Sequence, residues 1–354
     1  MFKTSQIYRN NLNKNMKSLT TGKYIHIKKL CNDNHHLQML AIDQRPPIFN
    51  LIKSKKKKYK FKDVVDFKKQ ISLSLSQYST AVLMDPVYSI PNLITTSKCS
   101  GLIITLEDHA FMEKGEGRYS RNIKNWTVEK IKKIGGDAVK VLAWYRPDAD
   151  QKSVNHQKKY IETIGKQCEK YDIPFLLELL VYPFKNEIGY SKDYKEQLDK
   201  NQNHIIGSVK EFSKAKYKVD IFKLESPVDS KYLENSKFTK VTENAFKQLS
   251  KATKNIPWVM LSSGMSKKSF FNCLKLAYKN GASGYLAGRT IWLDAFKDYP
   301  NYQKIKKNLN KESANYVKKL NALTNNNAQS LENYLKNKLI QKNSINFKNT
   351  YKGF

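Results

Sequence analysis

Short apolar, β-prone runs recur along the chain, and amphipathic stretches separate them. Eight such runs are legible, at 37–42, 81–84, 102–106, 138–144, 175–180, 221–224, 258–262 and 284–287. Between them, 64–77, 127–134, 155–170, 192–213, 242–253 and 267–279 carry apolar residues at three- and four-residue spacing, as helices with one buried face do. Eight strand-and-helix units predict an α/β fold, a (β/α)8 TIM barrel, with helices covering a closed parallel sheet. An open doubly wound sheet is the competitor. It would carry a glycine-rich dinucleotide loop after its first strand, and Asp43-Gln44-Arg45-Pro46-Pro47 is nothing like one. The expected organisation is a basic leader over 1–22, a barrel over 23–300, and a C-terminal extension over 301–354 with helices around 311–323 and 331–341 and a polar tail.

Three charges stand alone inside the apolar runs: Lys140 in the fourth, Glu178 in the fifth and Lys223 in the sixth. A charge withdrawn from water costs several kcal/mol unless it is paired or neutralised. Three in successive strands therefore predict a constellation of neighbours on the barrel wall. A lysine acts as a nucleophile only when neutral, and either Lys140 or Lys223 could depress the pKa of the other toward working pH. The neutral amine would attack a ketone while Glu178 shuttles protons. The structural alternative is an ion network that only braces the wall.

Barrels of this kind carry their chemistry at the C-terminal ends of strands, and often hold phosphate after strands seven and eight. Strand seven leads into Ser262-Ser263-Gly264 and strand eight into Gly288-Arg289, two glycine-containing turns that can aim backbone N–H groups at an anion beside a guanidinium. Asp43 and Gln44 close the first strand, where they can position substrate hydroxyls or orient a lysine. Asp85-Pro86 serves to end the second. The third loop, with Glu107-Asp108-His109 and the stretch from Glu113 to Arg118, is long and polar enough to form a lid. Arg118, Arg121 and Arg146 are candidates for a second anionic group or for surface ion pairs.

Composition narrows the partners. A formal net charge of +33 would ordinarily suggest nucleic acid, but the surplus is dispersed lysine, and arginine occurs only at 9, 45, 118, 121, 146 and 289. A solvated surface is expected, with no specific nucleic-acid partner. The tract 53–60 is expected as a solvated loop ahead of the first helix. No run reaches the eighteen or so apolar residues that span a bilayer, so no membrane partner is expected. Cys31, Cys99, Cys168 and Cys273 have no paired spacing, which predicts a reducing compartment, the cytoplasm, with no disulfide framework. Residues 1–20 contain no acid, a weak organelle-transit signal within an otherwise plain leader. The six histidines show no zinc-ligand spacing, and an iminium would make a Lewis acid unnecessary; neither metal nor cofactor is expected. Homo-oligomer formation stays open.

Six segments, Leu40-Ala41-Ile42-Asp43-Gln44-Arg45, Ala138-Val139-Lys140-Val141-Leu142, Leu177-Glu178, Phe222-Lys223-Leu224-Glu225, Leu261-Ser262-Ser263-Gly264 and Ala287-Gly288-Arg289, resemble the class I tagatose-bisphosphate aldolase family in sequence order from about 22 to 292. The resemblance implies a metal-independent barrel lyase acting on a phosphorylated ketose. It implies Lys223 as the Schiff-base lysine, Glu178 as acid/base, Lys140 as its electrostatic partner and Asp43 in the site. Gln44 would contact substrate, while Ser263, Gly264, Gly288 and Arg289 would take the phosphate of the dihydroxyacetone phosphate half. Arg146 and Arg118 are left for the far-end anion. D-tagatose 1,6-bisphosphate is the leading substrate, and sulfofructose 1-phosphate, used by other members of that family, is the alternative. A barrel retained only as an anion- or nucleic-acid-binding regulatory module is the rival from another class.

Overall fold

The computed structural model describes residues 19–95, 100–190, 201–235, 237–338 and 347–351. Most of the leader, Cys99, the start of the helix expected over 192–213 and the end of that expected over 331–341 lie outside the described residues.

Among the described residues ten strands form: β1 (Leu37–Ala41), β2 (Ala81–Met84), β3 (Gly101–Thr105), β4 (Met112–Lys114), β5 (Gly117–Tyr119), β6 (Ala138–Trp144), β7 (Phe175–Leu180), β8 (Ile221–Leu224), β9 (Trp258–Met260) and β10 (Gly284–Ala287). Eight of them close into a barrel in the order β1-β10-β9-β8-β7-β6-β3-β2, every pairing parallel. The remaining two, β4 and β5, make a separate antiparallel hairpin in the long loop after β3. All eight expected strands are present. The seventh is shorter than its apolar run because the chain turns at Ser263 and Gly264, closed by the Met265 N–H on the Ser262 carbonyl.

Side-chain alternation decides which residues face the barrel axis. Leu37, Met39 and Ala41, Ala81 and Leu83, Ile103, Ala138, Leu176, Ile221, Val259 and Leu286 pack together as one apolar cluster inside. The opposite parity, including Leu40, Val82, Ile104, Val139, Val141, Leu177 and Phe222, packs outward on the helices. Two steps beyond the inner apolar layer, the same inward parity reaches Thr105, Lys140, Glu178 and Lys223.

The α-helices among the described residues are α1 (Thr21–Lys29), α2 (Pro46–Lys55), α3 (Phe61–Leu75), α4 (Val128–Lys133), α5 (Gln151–Lys170), α6 (Gln202–Phe212), α7 (Lys240–Ala252), α8 (Lys267–Lys279), α9 (Arg289–Trp292), α10 (Tyr302–Asn308), α11 (Ala314–Asn327), α12 (Glu332–Lys338) and α13 (Phe347–Thr350). No helix among the described residues is long and apolar enough to cross a membrane. The basic tract is not a loop throughout: Lys53, Ser54 and Lys55 end α2, which the apolar pattern had not predicted. Pro46 and Pro47 open that helix, where a missing N–H costs nothing, and Ile48, Phe49 and Ile52 bury its inner face.

The N-terminal mouth is plugged. Leu19 together with Ile27 and Leu30 at α1, and Leu331 and Leu335 at α12, join the inner apolar cluster. Lys23 is buried and donates to Asp220 Oδ2 at 2.7 Å, and Asp220 in turn accepts from the Phe175 N–H. Removing one partner of such a pair strands a buried charge. Asp220→Ala should therefore lower unfolding free energy by roughly 3–5 kcal/mol in urea titrations, whereas an unchanged midpoint would mean that water reaches Lys23.

Candidate active site

The charges that stood alone in the sequence meet at the C-terminal end of the barrel. Lys140 Nζ lies 2.9 Å from Asp43 Oδ2, 2.7 Å from Glu107 Oε1 and 2.8 Å from Glu178 Oε2. Lys223 Nζ lies 2.9 Å from the other oxygen of Glu178. The parallel register puts Glu178 directly beside Lys223 on the neighbouring strand, so one carboxylate spans both amines. All five groups are buried.

Supporting contacts hold this cluster in place. Thr105 donates to Glu107 Oε2 at 2.6 Å, and both guanidinium NH2 groups of Arg45 lie 3.3 Å from the Glu107 main-chain oxygen. Lys68 of α3 donates to the Ile42 carbonyl at 2.8 Å and pairs with buried Asp85, which fixes the peptide leading into Asp43. Asp85 thus does more than end a strand. Burial pushes the Asp43 carboxyl up, but the Lys140 and Lys223 ammonium groups outweigh it and hold Asp43 well below the usual carboxylate range.

A cavity of about 550 Å³, counted to its open mouth, lies over these groups. Asp43, Gln44, Lys140, Glu178, Lys223, Ser263, Gly288 and Arg289 line it, and so do Arg45, Glu107 and His109. Asp43 Oδ1, Gln44 Oε1 and Ser263 Oγ are buried there with no hydrogen-bond partner among the described residues. Orphaned polar atoms of this kind are costly, and several on one wall suit a ligand rich in hydroxyls.

The two turns beside them bring backbone and the Arg289 guanidinium close together. Ser263 and Gly264 adopt left-handed φ values of +44° and +72°, and the Arg289 guanidinium carbon would stand 3.7 Å from a Cβ placed on Gly264. Gly288 has no room for a side chain, since a Cβ would fall 2.6 Å from the Ala41 oxygen and 2.8 Å from Gln44 Nε2.

The family model described as DeoC/LacD family aldolase matches residues 37–294. The chain belongs to that family. This aldolase is 33% identical over 286 residues to tagatose 1,6-diphosphate aldolase 1 of Enterococcus faecalis, covering 79% of this chain and 86% of that one. It is 32% identical over 291 residues to tagatose 1,6-diphosphate aldolase of Listeria innocua, covering 80% and 85%. Among solved structures, an archaeal fructose 1,6-bisphosphate aldolase superposes with TM-score 0.56 at 15% identity, covering 85% of this chain and 98% of that one. A Plasmodium falciparum fructose-bisphosphate aldolase reaches 0.62 at 11% identity, covering 88% and 98%. At these identities the structures speak for the barrel alone.

Arg118 and Arg146 do not line the aldolase's cavity. Arg118 ends up buried, its guanidinium 4.0 Å from the Phe111 ring centre and 4.8 Å from those of Trp144 and Tyr182. Arg146 is clamped by Asp148 at 2.7 Å and Glu187 at 2.5 Å and stacks on Phe184. Both pin loops at the mouth through cation–π and ionic contacts. Two groups that had been assigned to a lid, Glu107 and His109, instead line the cavity. The parity of β3 carries a signal for Glu107, since it follows inward-facing Thr105 by two.

Because the Asp43 carboxyl stays ionised below its ordinary value of 3.8, the stability from its ion pairs is complete above that pH and drains away only below it. Lys140→Met removes the largest favourable charge on Asp43 and leaves three carboxylates crowded together, at a cost of roughly 3–5 kcal/mol at neutral pH. Urea midpoints taken across the acid range should show the gap from wild type narrowing as pH falls through the carboxylate range. A gap independent of pH would contradict this electrostatic account.

Proposed function

We propose that the chain is a class I ketose-bisphosphate aldolase that reversibly cleaves D-tagatose 1,6-bisphosphate to dihydroxyacetone phosphate and glyceraldehyde 3-phosphate. The observation that carries the mechanism is the unequal pairing of the two lysines. Three carboxylates surround Lys140, each favouring its charged form, whereas Lys223 pairs with Glu178, whose second oxygen Lys140 already occupies. Lys140 is then the fixed cation and Lys223 the nucleophile.

The Lys223 amine adds to the C2 carbonyl, and the carbinolamine loses water as Glu178 supplies a proton, giving an iminium. The C4 hydroxyl gives up its proton to a carboxylate of the cluster as the C3–C4 bond breaks. The bond's electron pair flows into the iminium to form an enamine, and the aldehyde departs. Protonation of the enamine at C3 and hydrolysis release dihydroxyacetone phosphate and restore the amine. The cradle of Ser263, Gly264, Gly288 and Arg289 holds the C1 phosphate, while Asp43 and Gln44 meet substrate hydroxyls through their open oxygens. The relatives named for tagatose 1,6-diphosphate support the choice of ketose.

Borohydride reduction in the presence of dihydroxyacetone phosphate should leave a covalent adduct on Lys223, located by peptide mass spectrometry. The adduct should vanish in Lys223→Ala and keep its position in Lys140→Ala, with turnover of the wild type indifferent to EDTA. An adduct on Lys140, or cleavage that needs an added divalent ion, would overturn the mechanism. Comparing kcat/KM for D-tagatose and D-fructose 1,6-bisphosphates then tests the substrate, with the tagatose isomer expected to equal or exceed the other.

A further inference from the structure

We propose that Arg45, assisted by His109, is the specificity determinant for a terminal phosphate on the aldehyde half of the substrate, a role that Arg118 and Arg146 cannot fill from outside the cavity. The inference rests on the aldolase reading above. With the C1 phosphate at the turns after β9 and β10 and C2 over Lys223, the rest of the ketose crosses the mouth toward β3, which stands opposite β9 in the barrel order, and Arg45 reaches that side because its guanidinium meets the Glu107 carbonyl. The loops after β1 and β3 supply Arg45 and His109 to the same cavity.

Arg45 is buried to 5% exposure, yet its charge is poorly spent inside the protein. Its two terminal nitrogens share one carbonyl, that of Glu107, at 3.3 Å each, and the nearest carboxylate oxygen is 3.8 Å away. Nε has no hydrogen-bond partner among the described residues. A buried guanidinium with donors to spare is suited to an arriving oxyanion, which its planar fork can grip at two points.

Backbone donors cannot do the job here. Arg45 caps the N-terminus of α2, but the first two helical positions are Pro46 and Pro47, which have no N–H, and the Ile48 N–H is already donated to the Arg45 carbonyl at 3.1 Å. Any anion at this end depends on side chains. His109 completes the wall: its ring packs edge-on against Phe49, 6.0 Å between centres, and burial followed by the nearby Arg45 charge holds its pKa below the ordinary value. A neutral imidazole there, its Nδ1 3.2 Å from Asp108 Oδ1, shapes this end of the cavity without adding to the repulsion between cations.

The test compares aldol condensation of dihydroxyacetone phosphate with glyceraldehyde 3-phosphate and with unphosphorylated D-glyceraldehyde. In Arg45→Gln, kcat/KM for the phosphorylated aldehyde should fall about 10- to 100-fold, as expected for loss of a charge-assisted contact, and far less for D-glyceraldehyde. Arg45→Lys should recover part of the loss. Because Arg45 also touches the Glu107 main chain, His109→Leu serves as a second probe and should narrow the same ratio. Equal losses with both aldehydes in both variants, or a collapse of the ratio in Arg118→Gln in place of Arg45→Gln, would overturn the proposal. Borohydride trapping of dihydroxyacetone phosphate keeps the two ideas apart: an adduct on Lys223 in every variant leaves the aldolase mechanism standing even if the ratio never moves, and no adduct in the wild type ends both.

Discussion

One carboxylate, that of Glu178, ties two ammonium groups together inside an apolar barrel, and the placement of the other charges follows from that tie. Ions this deep cannot be left without partners, because the desolvation cost of each is several kcal/mol. The cluster answers with Asp43, Glu107 and Glu178 against Lys140, Lys223 and Arg45, and Arg289 adds a fourth cation to the same cavity wall. This pairing also has a use. It places a carboxylate oxygen of Glu178 2.9 Å from Lys223 Nζ, a distance that allows direct proton exchange.

The barrel separates this charged layer from an apolar one along its own axis. Below the cluster lie Leu37, Met39, Ala138, Leu176, Ile221 and Val259, closed off by α1 and α12. Above it, Leu142, Trp144, Leu180, Tyr182 and Leu261 form a second apolar group that flanks the mouth. The charges thus sit on an apolar layer and beside another, buried from bulk water except where the cavity opens, and there charge–charge interactions are stronger than they would be in water. The β4–β5 hairpin leans on the upper group through Arg118, which makes that arginine part of the wall's mechanical support.

Much of the site was legible in the chain because burial makes charge conspicuous. Lys140, Glu178 and Lys223 interrupt runs that are apolar on both faces, and Gly264 and Gly288 mark turns where a Cβ has no place or a poor one. Arginine scarcity pointed less reliably. It singled out Arg289, which the cavity includes, and equally Arg118 and Arg146, whose aromatic and acidic neighbours come from Phe111, Trp144, Tyr182, Phe184 and Glu187 in other segments. Around Arg118 nothing local announces the rings it stacks on, and for Arg146 the only local sign is Asp148, two residues on, with which it pairs. Glu107 was hidden for a similar reason: it sits in a polar loop, and only its inward parity past Thr105 brings it to Lys140.

Taken alone, the sequence determined the period of the fold and the identity of its buried charges, since alternating strand and helix patterns and isolated ions in apolar runs are properties of neighbours along the chain. Tertiary structure decided which charges share a partner. Whether Lys140 or Lys223 is the fenced cation depends on oxygens from β7 and from the loops after β1 and β3, brought within 3 Å by the closure and register of the barrel. Coulomb energy varies with distance in space, and distance in space between residues 43 and 140 is set by the sheet that joins them.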